Sequence, residues 1–268
     1  MNCLEKYRSK LIREINRELR LVYVQPDESA VHDFRVGMKR LRALFYFLNS
    51  IEPGLDSKSL LKPYRVFYKS IGNIRDAHIA IKLLQSLEGI GTVQLRAISS
   101  SLQSKIKQDY DLFQDISRAG AQTSVRMPTI NSTGISERSI LAYKPVILSR
   151  LLEQIQHSEE VMTAKRWHQK RILLKRYHHI LDAFRFCPGH TQDESEIKQI
   201  RMLEQLLGDW HDRVITAELL QSQPGLDKHI DKVVATINGQ DRLLLGSAKI
   251  YLRKFALWHA RRQSSEIG

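Results

Sequence analysis

From Phe34 onward, apolar residues fall at Phe34, Met38, Leu41, Phe45 and Leu48. Intervals of three and four put them on one face of an α-helix. The same period runs through almost the whole chain, and the alternation of a half-buried strand is nearly absent. The pattern predicts an all-α protein with helices near 3–24, 28–50, 57–87 and 92–118. A second set follows near 137–157, 159–184, 194–221 and 227–263. Turn chemistry separates them: "QPDES" at 25–29, "EPGLD" at 52–56, "CPGHT" at 187–191 and "QPGLD" at 223–227. The small, polar stretch at 119–136, "AGAQTSVRMPTINSTGIS", reads as a linker between two halves, 1–118 and 137–265.

The halves repeat. An offset of 136 carries His32 to His168, Arg35 to Arg171, Lys39 to Lys175 and Arg40 to Arg176. The same offset carries Arg65 to Arg201, Gly72 to Gly208, Asp76 to Asp212 and Ile79 to Ile215. Amphipathic helices copy leucine positions by chance, but not histidines, arginines, glycines and aspartates in one register. The expected architecture is two four-helix bundles related by a pseudo-twofold, together one domain over residues 1–265.

Charge then changes the picture. The 268 residues carry 42 Lys plus Arg against 29 Asp plus Glu, a formal net charge of +13 with a pI near 9.8. That balance points to polyanionic partners: nucleic acid, an anionic membrane surface or an inorganic polyanion. On a helical wheel, His32, Arg35, Lys39 and Arg42 form a stripe about 100° round from the Phe34 core face. They border the core rather than interrupt it, while Arg40 lies off the stripe. In the second copy, Leu174, Tyr177, Leu181 and Phe184 supply the core face, and His168, Arg171, Lys175 and His178 line the neighbouring one. His178 replaces Arg42, which weakens the fixed charge there and is expected to make that end of the stripe pH-sensitive.

Helix three of each half extends the pattern. Arg65, Lys69, Gly72 and Asp76 share a face, repeated as Arg201, Gln205, Gly208 and Asp212. A mid-helix glycine costs about 1 kcal/mol relative to alanine, and marks either a close approach of another group or a kink. Asp76 and Asp212 are expected to pair with cations of the stripe rather than to act as catalysts. Two such faces turned toward each other would enclose one cationic cleft.

Several classes are excluded or disfavoured. Cys3 and Cys187 have no metal-ligand or CxxC spacing, so neither a disulfide framework nor a zinc site is expected. No stretch reaches the roughly 18 apolar residues that span a bilayer, and "MNCLEKYRSKLIREINRELR" has no apolar core of a signal peptide. A cytoplasmic location is expected. P-loop, G-x-S-x-G and G-x-G-x-x-G motifs are absent. The paired His178 and His179 suggest a metal, but the surrounding arginines and lysines disfavour a divalent cation. No cofactor, metal or catalytic residue is expected.

"VHDFRVGMKRLRALFYFL" with "IGNIRDAHIAI", and "WHQKRILLKRYHHILDAF" with "LLGDWHDRVITAELL", resemble the two halves of the CHAD family, the conserved histidine α-helical domain. The resemblance covers roughly residues 1–265. It implies a non-catalytic fold whose facing basic surfaces bind inorganic polyphosphate, with phosphate or sulfate ions able to substitute. It further implies association with polyphosphate granules, or an accessory role beside a phosphate-metabolising enzyme such as a CYTH triphosphatase. Carried over by position, the binding residues are His32, Arg35, Lys39, Arg40, Arg42, Arg65 and Lys69, with His168, Arg171, Lys175, Arg176, His178 and Arg201. Gln205 and His178 predict an asymmetric site. "ESEIK" at 194–198 matches the E-x-E-x-K of CYTH triphosphatases, but here it opens a helix, without the surrounding strands of that fold.

The chemistry of the residues fits such a ligand. Polyphosphate offers no bases to read, so Arg forks and mobile Lys charges suffice. The nearby aromatics Phe34, Phe45, Tyr177 and Phe184 belong to the core face, leaving little for the stacking that single-stranded nucleic acid uses. Nucleic acid, an anionic surface and an enzyme acting on phosphate compounds remain the rival readings.

Overall fold

The computed structural model describes residues 2–53, 60–87, 91–119, 135–157, 162–189, 194–223 and 227–267. Most of the expected linker, residues 120–134, lies outside them, as do parts of the turns at 54–56, 190–191 and 224–226. The described residues form eight α-helices: α1 (Cys3–Val24), α2 (Glu28–Ile51), α3 (Arg65–Gln85), α4 (Thr92–Ala119), α5 (Glu137–Gln156), α6 (Ala164–Phe184), α7 (Glu194–Gln221) and α8 (Asp227–Ile267). No strand occurs among the described residues, and none of these helices is long and apolar enough to cross a membrane.

Local sequence fixes the helix starts. The Asn2 side chain accepts from Glu5 N at 3.0 Å while Glu5 accepts from Asn2 N at 3.3 Å, a capping box. Asp27, Ser136 and Thr163 cap α2, α5 and α6 in the same sense. The helix expected from residue 57 is interrupted: Leu60 and Leu61 are helical, and α3 runs from Arg65. A 3₁₀ turn, Lys62–Tyr64, precedes it, with Pro63 near its start, where a fixed φ and a missing N–H suit a helix entrance. Thr163 likewise starts α6 five residues beyond the expected position.

Core faces follow the sequence pattern. Phe34, Met38, Leu41 and Phe45 are fully buried on α2, and Leu174, Tyr177, Leu181 and Phe184 are buried on α6. Helices pack as hairpins α1·α2, α3·α4, α5·α6 and α7·α8, and across the halves as α2·α6 and α3·α7. One apolar cluster draws side chains from all eight helices, with Phe47 and Phe184 meeting edge-to-face at 5.1 Å. A smaller cluster around Leu84, Leu102, Leu220 and Val233 joins the far ends of α3, α4, α7 and α8. Gly37 lets α1 and α2 come close: a Cβ there would lie 2.7 Å from Ile15 Cγ1.

The two cysteines require a correction. Cys3 and Cys187 form a disulfide, with Cα atoms 5.0 Å apart, joining the start of α1 to the turn after α6. A separation of 184 residues leaves no spacing signal; only the packing of α1 on α6 brings the thiols together. Tyr7 and Phe186, with ring centroids 4.8 Å apart, occupy the same junction.

Candidate functional site: a cationic cleft between the halves

Helices α2, α3, α6 and α7 surround one cavity of about 870 Å³. Residues three and four apart on each helix turn one row of side chains inward. Helix α2 contributes His32, Arg35, Lys39 and Arg42; α6 contributes His168, Arg171, Lys175, Arg176 and His179. Helix α3 adds Tyr68, Arg75 and Asp76, and α7 adds Arg201, Glu204, Gln205, Gly208, Asp209, His211 and Asp212. Eight lysines and arginines thus face four carboxylates.

The expected stripes therefore meet, but four of the expected binding residues stay outside the cavity. Arg40 and His178 do not line the cavity, nor do Arg65 and Lys69. Arg40 sits one residue, about 100°, off the stripe and lies in the field of Tyr7 and His179. At the start of α3, Tyr68 takes the inward position and Lys69 is exposed, as is Arg65. His178 is held away by Glu204, whose Oε2 is 2.6 Å from His178 Nδ1.

Counterpart positions explain this difference. Arg42 lies over the ring of Tyr68 with 4.0 Å from guanidinium carbon to centroid. The same two positions of the second half hold His178 and Glu204, which form a hydrogen bond instead of a cation–π contact. Arg35 also engages Tyr68, 4.6 Å from its centroid, and donates from Nη1 to Tyr68 O at 3.1 Å. With two guanidinium groups on its ring, Tyr68 is not a free stacking surface.

The paired glycines have different roles. A Cβ on Gly72 would lie 2.5 Å from Arg35 Nη1, so the missing side chain makes room for this guanidinium. That selects close approach over a kink, since α3 runs unbroken through Gly72. Gly208 has nothing within 4 Å of such a Cβ and opens onto the cavity.

The expected pairing of Asp76 and Asp212 with stripe cations is not direct. Neither carboxylate has an ion-pair partner within 4.0 Å among the described residues. Burial raises both carboxyls, opposed at Asp76 first by Arg35 and at Asp212 first by Arg171. They act through space, offsetting part of the positive field. Arg75 does form an ion pair, 2.8 Å from Glu28.

Crowded cations make losing a proton easier. Lys39 is lowered to about 7, by desolvation first and then by Lys175, Arg35 and Arg171. Burial likewise lowers Lys175 and Arg171. His32 and His168 are lowered, chiefly by desolvation, and His211 falls to about 3. The rings of His168 and His211 lie 4.8 Å apart. The buried Nε of Arg171 and Nδ1 of His179 have no hydrogen-bond partner among the described residues. Such an arrangement favours an anion with many oxygen acceptors. The lining contains no serine, threonine or cysteine.

Sequence reasoning missed Tyr68, Arg75, His179 and His211. Arg75 and His211 are counterparts, each immediately before the repeated aspartate and three residues after the repeated glycine. That spacing was a usable signal. His179 has Ala43 as its counterpart, which also lines the cavity but carries no charge to mark it.

A family model described as the CHAD domain matches residues 6–221. A crystal structure of the CHAD domain from the plant Ricinus communis is similar in fold, with a TM-score of 0.66 at 18% identity, over 91% of this chain and 88% of that one. PptA from Streptomyces chartreusis is similar with a TM-score of 0.59 at 14% identity, over 95% of this chain and 98% of that one. No curated protein matches the sequence.

Proposed function

We propose, from the premise that this chain belongs to the CHAD family, that its cleft binds inorganic polyphosphate without turning it over. The observation that carries the reading is the inward convergence of Arg35, Lys39, Arg42, Arg75, Arg171, Lys175, Arg176 and Arg201 from four helices on one cavity. Crowded like charges are relieved by a ligand that brings several negative charges at once. Each guanidinium presents forked donors to phosphate oxygens, and the lysines adjust to a flexible chain. Tyr68 is the cavity's one phenol or benzyl ring and is already engaged by arginines. That favours a polymer without bases over nucleic acid. The lining has no serine, threonine or cysteine, and its one hydroxyl, on Tyr68, belongs to a ring that two guanidinium groups cover. We propose an association with polyphosphate granules; the Cys3–Cys187 disulfide weighs against the expected reducing cytoplasm.

Titration with polyphosphates of graded length, repeated against a single-stranded oligonucleotide competitor, tests this reading. Long-chain polyphosphate should displace the oligonucleotide at a much lower phosphate concentration. The double reversal Arg35→Glu with Arg171→Glu should cost far more affinity than Arg65→Glu with Lys69→Glu on the exposed face of α3. It should also flatten the salt dependence, by about 0.7 in log–log slope for each phosphate no longer neutralised. A reversed competition order, or sustained phosphate release with Mg²⁺, refutes the reading.

A further inference from the structure

We propose that filling the cleft with polyphosphate takes up a proton at Lys39, so that occupancy is set by pH as well as by ligand concentration. This rests on the function proposed above and concerns the regulation of the same site.

Geometry singles out Lys39. It stands midway along the α2 stripe, half-buried, and lines the cavity. Its ammonium has no ion-pair or hydrogen-bond partner among the described residues. Helix α6 turns Arg171, Lys175 and His179 toward it. Helix α7 turns His211 and Asp212 toward it, and α3 turns Asp76. From its own helix come His32 and Arg35. Helices α1 and α5 also pack on α2 but supply no lining residue of the cavity.

Two carboxylates therefore oppose three fixed or near-fixed cations around one unpartnered amine. A guanidinium keeps its charge across the accessible range. The four imidazoles of the cleft, His32, His168, His179 and His211, are all lowered and stay neutral above pH 7. In the empty cleft the amine that yields is Lys39, lowered to about 7 by burial first and then by Lys175, Arg35 and Arg171. A polyanion beside it reverses the balance: negative charge favours the ammonium and cancels the repulsion from Lys175. Binding then captures a proton from solvent, and by linkage alkaline conditions weaken binding.

Long polyphosphate suits the test, because its internal phosphates hold constant charge across the working range. Calorimetric titration from pH 6.5 to 9.5, in pairs of buffers with different ionisation enthalpies, counts protons taken up. Wild-type protein should take up close to one proton per site near pH 8. Its affinity should fall by up to tenfold per pH unit above 7. Lys39→Arg keeps the charge fixed and should lose both the uptake and the slope. Lys39→Met should bind more weakly at pH 6.5 and show no slope. A Lys175→Arg variant that retains the uptake assigns it to Lys39 rather than to its neighbour. Tight binding with no proton uptake overturns this inference and leaves the proposed ligand standing, as does an uptake that persists in Lys39→Arg. No binding of polyphosphate at any pH overturns the functional reading itself, and the linkage with it.

Discussion

Alanine at Gly72 and alanine at Gly208 are the same substitution at counterpart positions, yet they should have different consequences. Each removes the cost of a mid-helix glycine, about 1 kcal/mol. At Gly208 nothing lies within 4 Å of the new methyl, so that gain is realised in full. For a chain of this size it raises Tm by about 2–4 °C. At Gly72 the methyl would sit 2.5 Å from Arg35 Nη1. The guanidinium is the far end of a flexible side chain and moves, but it surrenders the hydrogen bond to Tyr68 O and its place over the Tyr68 ring. A charged hydrogen bond is worth about 1.5–3 kcal/mol, and water in the open cleft returns part of that. The gain and loss nearly cancel, so Gly72→Ala should leave Tm within about 2 °C of wild type. Its signature is in binding: with Arg35 displaced, polyphosphate affinity should drop about three- to tenfold. Gly208→Ala leaves every cation in place and should bind much as before. Differential scanning fluorimetry and a polyphosphate titration on both variants decide the matter. If Gly72→Ala stabilises as much as Gly208→Ala and binds normally, the glycine does not hold Arg35 in position.

Two further outcomes follow from the structure. Lys39 loses its proton near 7 in the folded state, against 10.5 for an ordinary lysine, so between those values the unfolded chain binds more protons. Stability of the ligand-free protein should therefore rise with pH across that window, by at most ~1.4 kcal/mol per unit, and Lys39→Met should flatten the rise in urea melts at pH 7 to 10. Reduction of Cys3–Cys187 frees a loop of 184 residues, worth up to about 5 kcal/mol in chain entropy; an unchanged Tm in dithiothreitol or in Cys3→Ser would contradict the role of that bond.

Helices and core faces were legible because the apolar period is local: Phe34, Met38 and Leu41 state their own burial. The cleft was partly legible because charged residues recur in register at an offset of 136. What escaped depends on neighbours. Nothing in the sequence around Tyr68 says that two arginines will lie on its ring, or that Glu204 at the counterpart position will take His178 out of the cavity. Lys69 shows the limit of a helical wheel, since one residue of rotation separates it from Tyr68, which lines the cavity; the wheel did set Arg40 off the stripe, and only the carry-over by position put it in the site. The disulfide escaped for the simplest reason: its partners meet only once α1 has docked on the end of α6.

The apolar cluster shared by all eight helices has a mechanical consequence. Mutual repulsion among the lining arginines and lysines would spread a hinged pair of lobes apart in the absence of ligand. Here the lobes are fused by common packing, so the empty vessel cannot gape to relax itself. The lining cations are thereby held in one frame, and a polyphosphate bound there, as proposed, would have to shape itself to the container rather than the reverse.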